Sequence, residues 1–404
     1  MNVLFLTLMG FNSLKDNNIY TDLLREFVRN NHKVYVISPI EKREKKGTQV
    51  IREENTMILR LLIGNIQKTN PVEKGINTVL VETKFKEAIR KYYSDIRFDL
   101  VLYTTPPITL VSAVEYVKRR DNAKTYLLLK DIFPQNAVDI GLMKTQGIKG
   151  LIYCYFRKKE KRLYAVSDKI GCMSQANADY LLSQNSGISP SRVEICPNSI
   201  EAIDKSIDQI KRIQIRDKYN IPRDCCVFVY GGNLGKPQDI PFVIECLIKC
   251  SDLSNAFFLI IGDGTEYELL DSYIKQSKQK NIKLMKRLPK EDYDTLVSAC
   301  DAGLVFLDHR FTIPNFPSRI LSYMQAKIPV IAATDSNTDI GDIIIDGGFG
   351  WWCESTDASA FNEMIKDALN EDLTQKGING WDFLIKNYSS AASYNIIISA
   401  VGKM

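Results

Sequence analysis

Short apolar runs alternate with amphipathic segments along this chain, in two separate blocks. The first block opens with "NVLFLTL" as a strand, "NIYTDLLREFVRNN" as a helix and "KVYVISP" as the next strand, and the pattern returns at "FDLVLYTTPP". Strands separated by helices predict right-handed βαβ units in a parallel sheet. The second block begins after "VEICPNSIE" with the strand and glycine loop "CCVFVYGGNLG". We therefore expect two doubly wound, Rossmann-like α/β domains.

The domain limits follow from this alternation. A chain of 404 residues is too long for one ordinary core. We predict an N-terminal Rossmann-like domain at 1–197, a second at 198–370 and a C-terminal helical segment at 371–404 that returns to the first domain. An edge hairpin is expected around "VIREENTMILRLL". Because ligands bind at the carboxyl ends of parallel strands, we expect the site in a cleft between the two domains.

Composition excludes several classes of protein. A net charge of +5 is too mild to indicate a nucleic-acid partner. No apolar run reaches the roughly 18–20 residues that span a bilayer, and the first residues lack a basic leader, so we expect a cytoplasmic protein. The two histidines, His32 and His309, argue against a histidine-rich metal site or a Ser-His-Asp triad. Nine scattered cysteines indicate reduced thiols.

No catalytic metal ion or other cofactor is expected. The one Asp-x-Asp sequence, Asp292 to Asp294, begins a predicted helix. Acidic residues cap helix starts and favour the helix dipole there, which explains the pair without a metal ion.

Two glycine-rich turns follow strands of the second block. "VYGGNLGKPQ" places Gly232 and Gly235 after a strand, with Lys236 beside them, and "LIIGDGTEYELL" adds Gly262 and Gly264. Glycines let the backbone approach a phosphate closely, although a tight strand-to-helix turn explains each one equally well. The first strand of the chain ends near the single Gly10, so the dinucleotide fingerprint is missing from its usual place.

The stretch "PNFPSRILSYMQAKIPVIAATD" predicts a loop, a helix and a buried strand. Asn315, Phe316 and Ser318 form the helix start, and Arg319 follows in the first turn. A cation is disfavoured at the positive end of a helix dipole. An anion is therefore expected at this position.

A lysine and an aspartate end a buried strand of the first domain. "LLLKDIFPQN" places Lys130 and Asp131 at the carboxyl end of that strand. Burying charges is costly unless they are paired or functional. A structural ion pair that caps the neighbouring helix and an acceptor-binding site both remain open.

The segment at 149–162 mixes aromatic, aliphatic and basic residues. "KGLIYCYFRKKEKR" as a helix would place Leu151, Ile152 and Tyr155 on an anionic lipid surface with cations beside them. A core-facing helix with a solvated basic face is the other interpretation.

The motifs together resemble a known family. "GGNLGKPQ", "IIGDGTEYELL", "RLPKEDYDTLVSACDAGLVFL" and "FPSRILSYMQAKIPVIAATD" resemble the nucleotide-sugar domain of family-4 retaining glycosyltransferases of the GT-B fold. In the first half, "TTPPITL", "KDIFPQNAVDIGLM", "CMSQANADYL" and "ICPNSIE" resemble a subgroup that builds bacterial capsule and O-antigen chains. The resemblance implies two Rossmann-like domains with a cleft between them and a C-terminal helix that crosses back to the first.

The resemblance also implies site residues. Asp131, Lys236 and Arg319 would be catalytic, the two cations by balancing the charge of the departing diphosphate. The backbone around Leu288 would meet the base, and Asn17, Lys130 and Asp131 would bind the acceptor. The implied donor-binding residues are Gly10, Gly232, Asn233, Gly235, Lys236, Gly262, Gly264, Arg287, Leu288, Asn315, Phe316, Ser318, Arg319 and Ser322.

One departure from the family concerns the donor ribose. Many relatives carry two glutamates eight residues apart, and the matching positions here are Pro314 and Ser322. Since neither is a carboxylate, ribose binding must be weaker or arranged differently, with the Ser322 hydroxyl as one possible contact.

By this resemblance, the chain is expected to transfer a sugar from a nucleotide donor, a UDP-sugar, to a polyprenyl-diphosphate-linked saccharide. The transfer would retain the anomeric configuration and take place at the cytoplasmic face of the inner membrane, with 149–162 on its surface. A nucleotide-sugar epimerase and a donor-binding subunit with weak catalysis are the alternatives.

Overall fold

The chain forms two compact α/β units in a computed structural model that describes residues 1–66, 69 and 71–404, with the side chains of residues 71, 72, 74, 148 and 149 left out. The N-terminal unit comprises residues 1–201 and 390–404, and the C-terminal unit comprises 202–389. Lys149, the first residue of the predicted basic helix, lies outside the described side chains.

The N-terminal unit is built on an eight-stranded sheet. Its order is β3-β4-β2-β1-β5-β6-β7-β8, and every neighbouring pair is parallel except β3 and β4, which form the hairpin expected from the sequence. The strands are β1 Asn2–Leu6, β2 Lys33–Glu41, β3 Gln49–Glu53, β4 Thr56–Ile63, β5 Leu100–Thr104, β6 Lys124–Leu129, β7 Lys169–Cys172 and β8 Val193–Ile195.

Helices connect these strands and cover the sheet. They are α1 Ile19–Arg29, α2 Pro71–Tyr92, α3 Val111–Asp121, α4 Gln135–Asp139, α5 Gly147–Val166 and α6 Gln175–Gln184. All five residues of β5 are buried, as expected for a parallel strand covered on both faces. Asn18 caps α1 by accepting the N–H groups of Tyr20 and Thr21, both at 3.0 Å, which fixes the start of this helix.

The C-terminal unit has a six-stranded sheet in which every neighbouring pair is parallel, in the order β11-β10-β9-β12-β13-β14. Its strands are β9 Cys226–Asn233, β10 Ala256–Asp263, β11 Ile282–Lys286, β12 Ala302–Phe306, β13 Val330–Thr334 and β14 Gly350–Glu354. Its helices are α7 Gln209–Lys218, α8 Ile240–Lys249, α9 Tyr267–Ser277, α10 Lys290–Val297, α11 Ile320–Gln325, α12 Ile340–Asp346, α13 Ala358–Asn370 and α14 Leu373–Phe383.

The end of the chain is divided between the units. We predicted that the whole of 371–404 returns to the N-terminal domain, but residues up to Ser389 belong to the C-terminal unit. Helix α14 stays there because Gly377 packs on the backbone of Lys327 and the ring of Phe383 lies 5.2 Å from that of Phe349.

The last helix, α15 Ser390–Gly402, packs in the N-terminal unit. Its Tyr394 ring lies edge-on to Phe27 of α1 at 4.9 Å, and its hydroxyl is 2.9 Å from His32 Nε2. His32 therefore has a packing role, in which the chain end helps to cover α1.

Every helix in the described part of the chain is too short or too polar to span a membrane.

Candidate functional site

The strand order of the C-terminal unit reverses at β9. The connections from β9 lead to β10 and β11 on one side, whereas β12 to β14 lie on the other. In open α/β sheets such a reversal leaves a crevice beyond the carboxyl ends of the strands, where ligands bind. The glycine loop that follows β9 and the loop that follows β12 border this crevice.

Gly232 and Arg319 meet at the end of β9. Gly232 has a φ of +142°, and a Cβ added there would lie 2.6 Å from Nη2 of Arg319. A side chain at this position would be strained by the backbone conformation and would displace the guanidinium. The sequence placed both residues at the donor site, and the structure brings them together.

Arg319 is a half-buried cation with one buried, unused donor. Its Cζ lies 4.3 Å from the centre of the Tyr230 ring, and its Nη1 is buried without a hydrogen-bond partner in the described part of the chain. Burial acts to lower the pKa of Arg319, but the phenols of Tyr230, Tyr323 and Tyr293 raise it, and the net pKa lies above its usual value. The guanidinium therefore stays charged and can accept an anion.

The loop before α11 supplies a second unused donor. Nδ2 of Asn315 is buried and has no hydrogen-bond partner among the described residues, while the backbone carbonyl oxygen of Asn315 accepts a bond of 2.6 Å from Thr338 Oγ1. Phe316 is held by the ring of Tyr388 at 5.7 Å. Such orphaned buried donors are rare in folded proteins, and an absent ligand is one explanation of them.

Ser318 and Ser322 are half-buried on either side of Arg319. The helix α11 begins at Ile320, so Arg319 precedes its first residue rather than lying in its first turn as the sequence indicated. The backbone N–H of Ser322 donates to the Arg319 carbonyl oxygen at 3.1 Å. Pro314, at the other position of the missing glutamates, is buried.

The two glycine turns of the unit are packed against each other. A Cβ on Gly262 would collide with the carbonyl oxygen of Gly232, and one on Gly264 would collide with the backbone of Leu234. Leu234 N–H donates to the Asp263 carbonyl at 3.0 Å, which locks the turns together. Close backbone packing explains Gly262 and Gly264, and their contact with a donor stays a prediction.

Lys236 is an exposed cation at the start of a 3₁₀ turn, Lys236–Gln238, and has no ion-pair partner in the part of the chain that the structure describes. The turn is held by Gln238, whose Oε1 accepts Asn233 Nδ2 at 2.6 Å and the N–H of Gly235 at 3.4 Å. These two hydrogen bonds hold the backbone of the loop beside Lys236, whose ammonium is available to an anion.

Arg287 and Leu288 follow β11, two strands away from β9 at the same edge of the sheet. Arg287 is exposed and Leu288 is half-buried. Their contact with the base of a donor stays a prediction.

In the N-terminal unit, Lys130 and Asp131 follow β6 and bind different partners. Thr105 Oγ1 accepts both of their backbone N–H groups, at 3.0 and 3.2 Å. Lys130 Nζ donates to the Cys196 carbonyl at 3.0 Å, and Asn136 Nδ2 donates to Asp131 Oδ1 at 2.7 Å. The structural ion pair considered from the sequence is therefore not formed.

Both side chains have shifted pKa values. Burial lowers the pKa of Lys130 to about 8 and raises the pKa of Asp131 to about 6. Asp131 can thus exchange a proton close to neutral pH, as a general base or acid must.

Tyr20 also lies near this site, although no sequence motif indicated it. It is buried in the first turn of α1, and burial raises its pKa to about 12 despite a hydrogen bond with Thr104, with the charge of Asp131 adding to the rise. The position of Tyr20 in the sequence could have indicated this, because the helix that follows the first strand begins at the carboxyl edge of the sheet. Asn17, three residues earlier, and Gly10 are exposed in the loop between β1 and α1.

Asp294 of the Asp-x-Asp sequence has two protein partners. Asp294 accepts Lys205 Nζ at 2.7 Å and Lys290 Nζ at 2.9 Å. The described residues contain one group with metal-ligand spacing, Asp239, Asp308 and His309, but Arg310 Nε already binds Asp308 at 2.9 Å.

Comparison with known proteins agrees with this geometry. Residues 211–379, within the C-terminal unit, match the sequence profile of the family described as Glycosyl transferases group 1. The chain is 27% identical to the Pseudomonas aeruginosa glycosyltransferase WbjE over 299 residues, which are 74% of this chain and 72% of that protein. The chain is a glycosyltransferase.

Two further similarities describe this glycosyltransferase. It is 20% identical over 254 residues to WcaI of Escherichia coli (strain K12), named as a glycosyl transferase of colanic acid biosynthesis, with 61% of this chain and 60% of that protein covered. An E. coli structure described as trehalose-6-phosphate bound with UDP-2-fluoro glucose superposes with a TM-score of 0.75 at 10% identity, covering 100% of this chain and 99% of the other. The fold of the glycosyltransferase is GT-B, and these matches do not favour an epimerase.

Proposed function

We propose that this glycosyltransferase transfers a sugar from a UDP-sugar to a polyprenyl-diphosphate-linked saccharide, with retention at the anomeric carbon. The product would extend a bacterial capsule or O-antigen chain. The observation that carries the proposal is the guanidinium of Arg319, which lies beside Gly232 and has a buried, unused donor at Nη1.

The donor diphosphate binds at the end of β9. Arg319 Nη1 and Asn315 Nδ2 donate to its oxygens, and Lys236 adds a second positive charge from the glycine loop. The diphosphate gains negative charge as it leaves the sugar, so fixed cations stabilise the transition state more than the bound donor. With Ser322 where relatives carry glutamate, the ribose receives a hydroxyl contact instead of a carboxylate.

The acceptor binds at the carboxyl edge of the N-terminal unit. Asp131, with its pKa near 6, positions the attacking hydroxyl beside Lys130. In retaining transfer on one face of the sugar, the departing phosphate takes the proton of that hydroxyl, and the protein need supply no base.

The lipid-linked acceptor places the enzyme at the cytoplasmic face of the inner membrane. WcaI is named for the biosynthesis of colanic acid, a polysaccharide, which supports an acceptor of this kind. Helix α5, with its exposed apolar and basic residues, supplies the membrane contact.

The direct test is a transfer assay with radiolabelled UDP-sugars and a bacterial membrane lipid extract. We expect one donor to label an extractable lipid, and Arg319→Ala to abolish the labelling. Arg223→Ala is the matched control, because Arg223 is an exposed arginine of the same unit that pairs with Asp217. Absence of both transfer and donor hydrolysis across the panel would refute the proposal.

A further inference from the structure

Three helices of the N-terminal unit lie side by side and run in the same direction. Glu82 of α2 accepts the N–H of Ser112 at the start of α3, at 2.9 Å, and pairs with Lys159 of α5. Three residues further along both α3 and α5, Glu115 pairs with Arg162. These contacts join the second halves of α2 and α5. Because the helices run in the same direction, their first halves extend toward the same end of the unit.

The first halves of α2 and α5 expose apolar side chains, which we call the apolar end. Ile76 and Leu80 of α2 are 57% and 46% exposed, and Leu151, Ile152 and Tyr155 of α5 are 69%, 53% and 38% exposed. Solvent-facing helix positions are ordinarily polar, so a group of exposed apolar residues marks an interaction surface.

The second halves of the same helices, and of α3, carry a basic surface. Glu87 is an exposed acidic residue in the second half of α2. The guanidinium of Arg90 lies over the ring of Tyr116 of α3, with its Cζ 4.8 Å from the ring centre. Five cations have no ion-pair partner within the described ranges: Lys86, Arg90, Arg119, Lys158 and Lys161. An apolar group beside unpaired cations matches the chemistry of an anionic bilayer, where apolar side chains enter the interface and cations meet the headgroups.

The apolar end lies at the edge of the sheet that carries Asp131. A helix that leads into a parallel strand runs opposite to it, so α2 and α5, which precede β5 and β7, begin at the carboxyl edge. Helix α5 contacts the segment that follows β6, because the ring of Phe133 lies 5.1 Å from that of Phe156. The ring of Phe156 in turn lies 5.3 Å from that of Tyr155. Phe133 is two residues from Asp131.

We propose that the apolar end and the basic surface together dock the N-terminal unit on an anionic lipid bilayer, and that α2 takes part equally with α5. Docking in this orientation brings the diphosphate of a lipid-linked acceptor to the edge where Lys130 and Asp131 lie. This inference rests on the proposed function for its acceptor, and it adds the second helix, the lipid charge and the orientation.

The test is sedimentation of the full chain with vesicles of phosphatidylcholine alone and of phosphatidylcholine with phosphatidylglycerol. We expect binding to the anionic vesicles alone, weakened by salt. Leu80→Asp and Leu151→Asp should each weaken binding about tenfold, since each removes an apolar side chain from the interface. Lys158→Glu and Arg90→Glu should each weaken it by about fivefold or more.

Matched controls separate docking from folding and from activity. Ile210→Asp alters an apolar residue of the C-terminal unit that is 71% exposed, and Lys280→Glu reverses an exposed charge of that unit. Both should bind vesicles as the unmodified chain does. The melting temperature and its rise with UDP should be unchanged in every variant, so loss of vesicle binding with normal UDP binding isolates the docking surface.

Three outcomes would overturn the inference. Equal binding to neutral and anionic vesicles, or none to either, would exclude a surface for anionic lipid. A dimer of the unmodified chain that Leu151→Asp dissociates would show that a second copy covers the apolar end. A failed transfer assay with normal vesicle binding would refute the proposed function and leave the docking surface intact.

Discussion

The guanidinium of Arg319 lies against the backbone of Gly232, where an added Cβ would be 2.6 Å from Nη2. The absence of one side chain thus makes room for another at the end of β9. The close approach of Arg319 to Gly232 places a positive charge at this strand-to-helix connection.

Gly232→Ala should damage both the fold and donor binding. The methyl group meets the guanidinium, and a φ of +142° is strained for any residue with a Cβ, at a cost of about 1–3 kcal/mol in the free energy of unfolding. Denaturant unfolding and UDP titration measure the two effects. Gly187→Ala is the control, since a Cβ there meets nothing within 4 Å. Equal stabilities of the two variants would contradict the prediction.

Arg319→Met should separate donor binding from stability. Nη1 of the guanidinium is buried and unused, so removal of the charge costs the ligand-free protein less than about 1 kcal/mol. UDP should bind about 10- to 100-fold more weakly, because a charge-assisted hydrogen bond to phosphate is lost. Calorimetric titration gives the affinity and thermal unfolding the stability. Unchanged UDP affinity would remove Arg319 from the donor site.

Asp131 should make stability depend on pH. Its pKa is about 6 in the folded state and near 3.9 in an unfolded chain, so the folded state binds the proton more tightly. The stability this contributes is fully present below about pH 4 and is lost as pH rises through about 6. The side chain introduced by Asp131→Asn does not titrate, so the variant does not lose this stability. Its stability relative to the unmodified chain should therefore increase as the pH is raised from about 4.5 to 7.5.

Denaturant midpoints at the two pH values check the Asp131 prediction. Asp95→Asn, an exposed aspartate of the same unit, is the control and should show no relative gain. A pH dependence that is the same in all three proteins would show that the Asp131 carboxyl is not perturbed.

Ser322→Ala should test whether the Ser322 hydroxyl binds the ribose of the donor. If its hydroxyl binds the sugar of the nucleotide, the loss of one neutral hydrogen bond weakens UDP binding about fivefold, while inorganic pyrophosphate binds as before. Ser322→Glu introduces the carboxylate that the family resemblance implies at this position, and it should favour UDP over pyrophosphate more than the unmodified chain does. Equal effects on both ligands would place Ser322 near the phosphates instead.

The sequence by itself determined the two sheets and the chemistry at their edges. Alternating apolar runs require crossover helices, and parallel strands then bring their carboxyl ends to one edge, so "VYGGNLGKPQ" and "PNFPSRIL" had to meet there. Local spacing is enough for this step, because periodicity and turn residues act within a few neighbours.

Only the tertiary structure decided which side chains meet. Lys130 and Asp131 are adjacent in sequence, yet their side chains bind Cys196 and Asn136 rather than each other. Residues up to Ser389 stay with the C-terminal unit because the ring of Phe383 packs on that of Phe349. Helices α2 and α5, which carry the apolar end, are joined by the ion pair between Glu82 and Lys159. These contacts join residues far apart in the chain, and their energies depend on packing and burial, which no local pattern records.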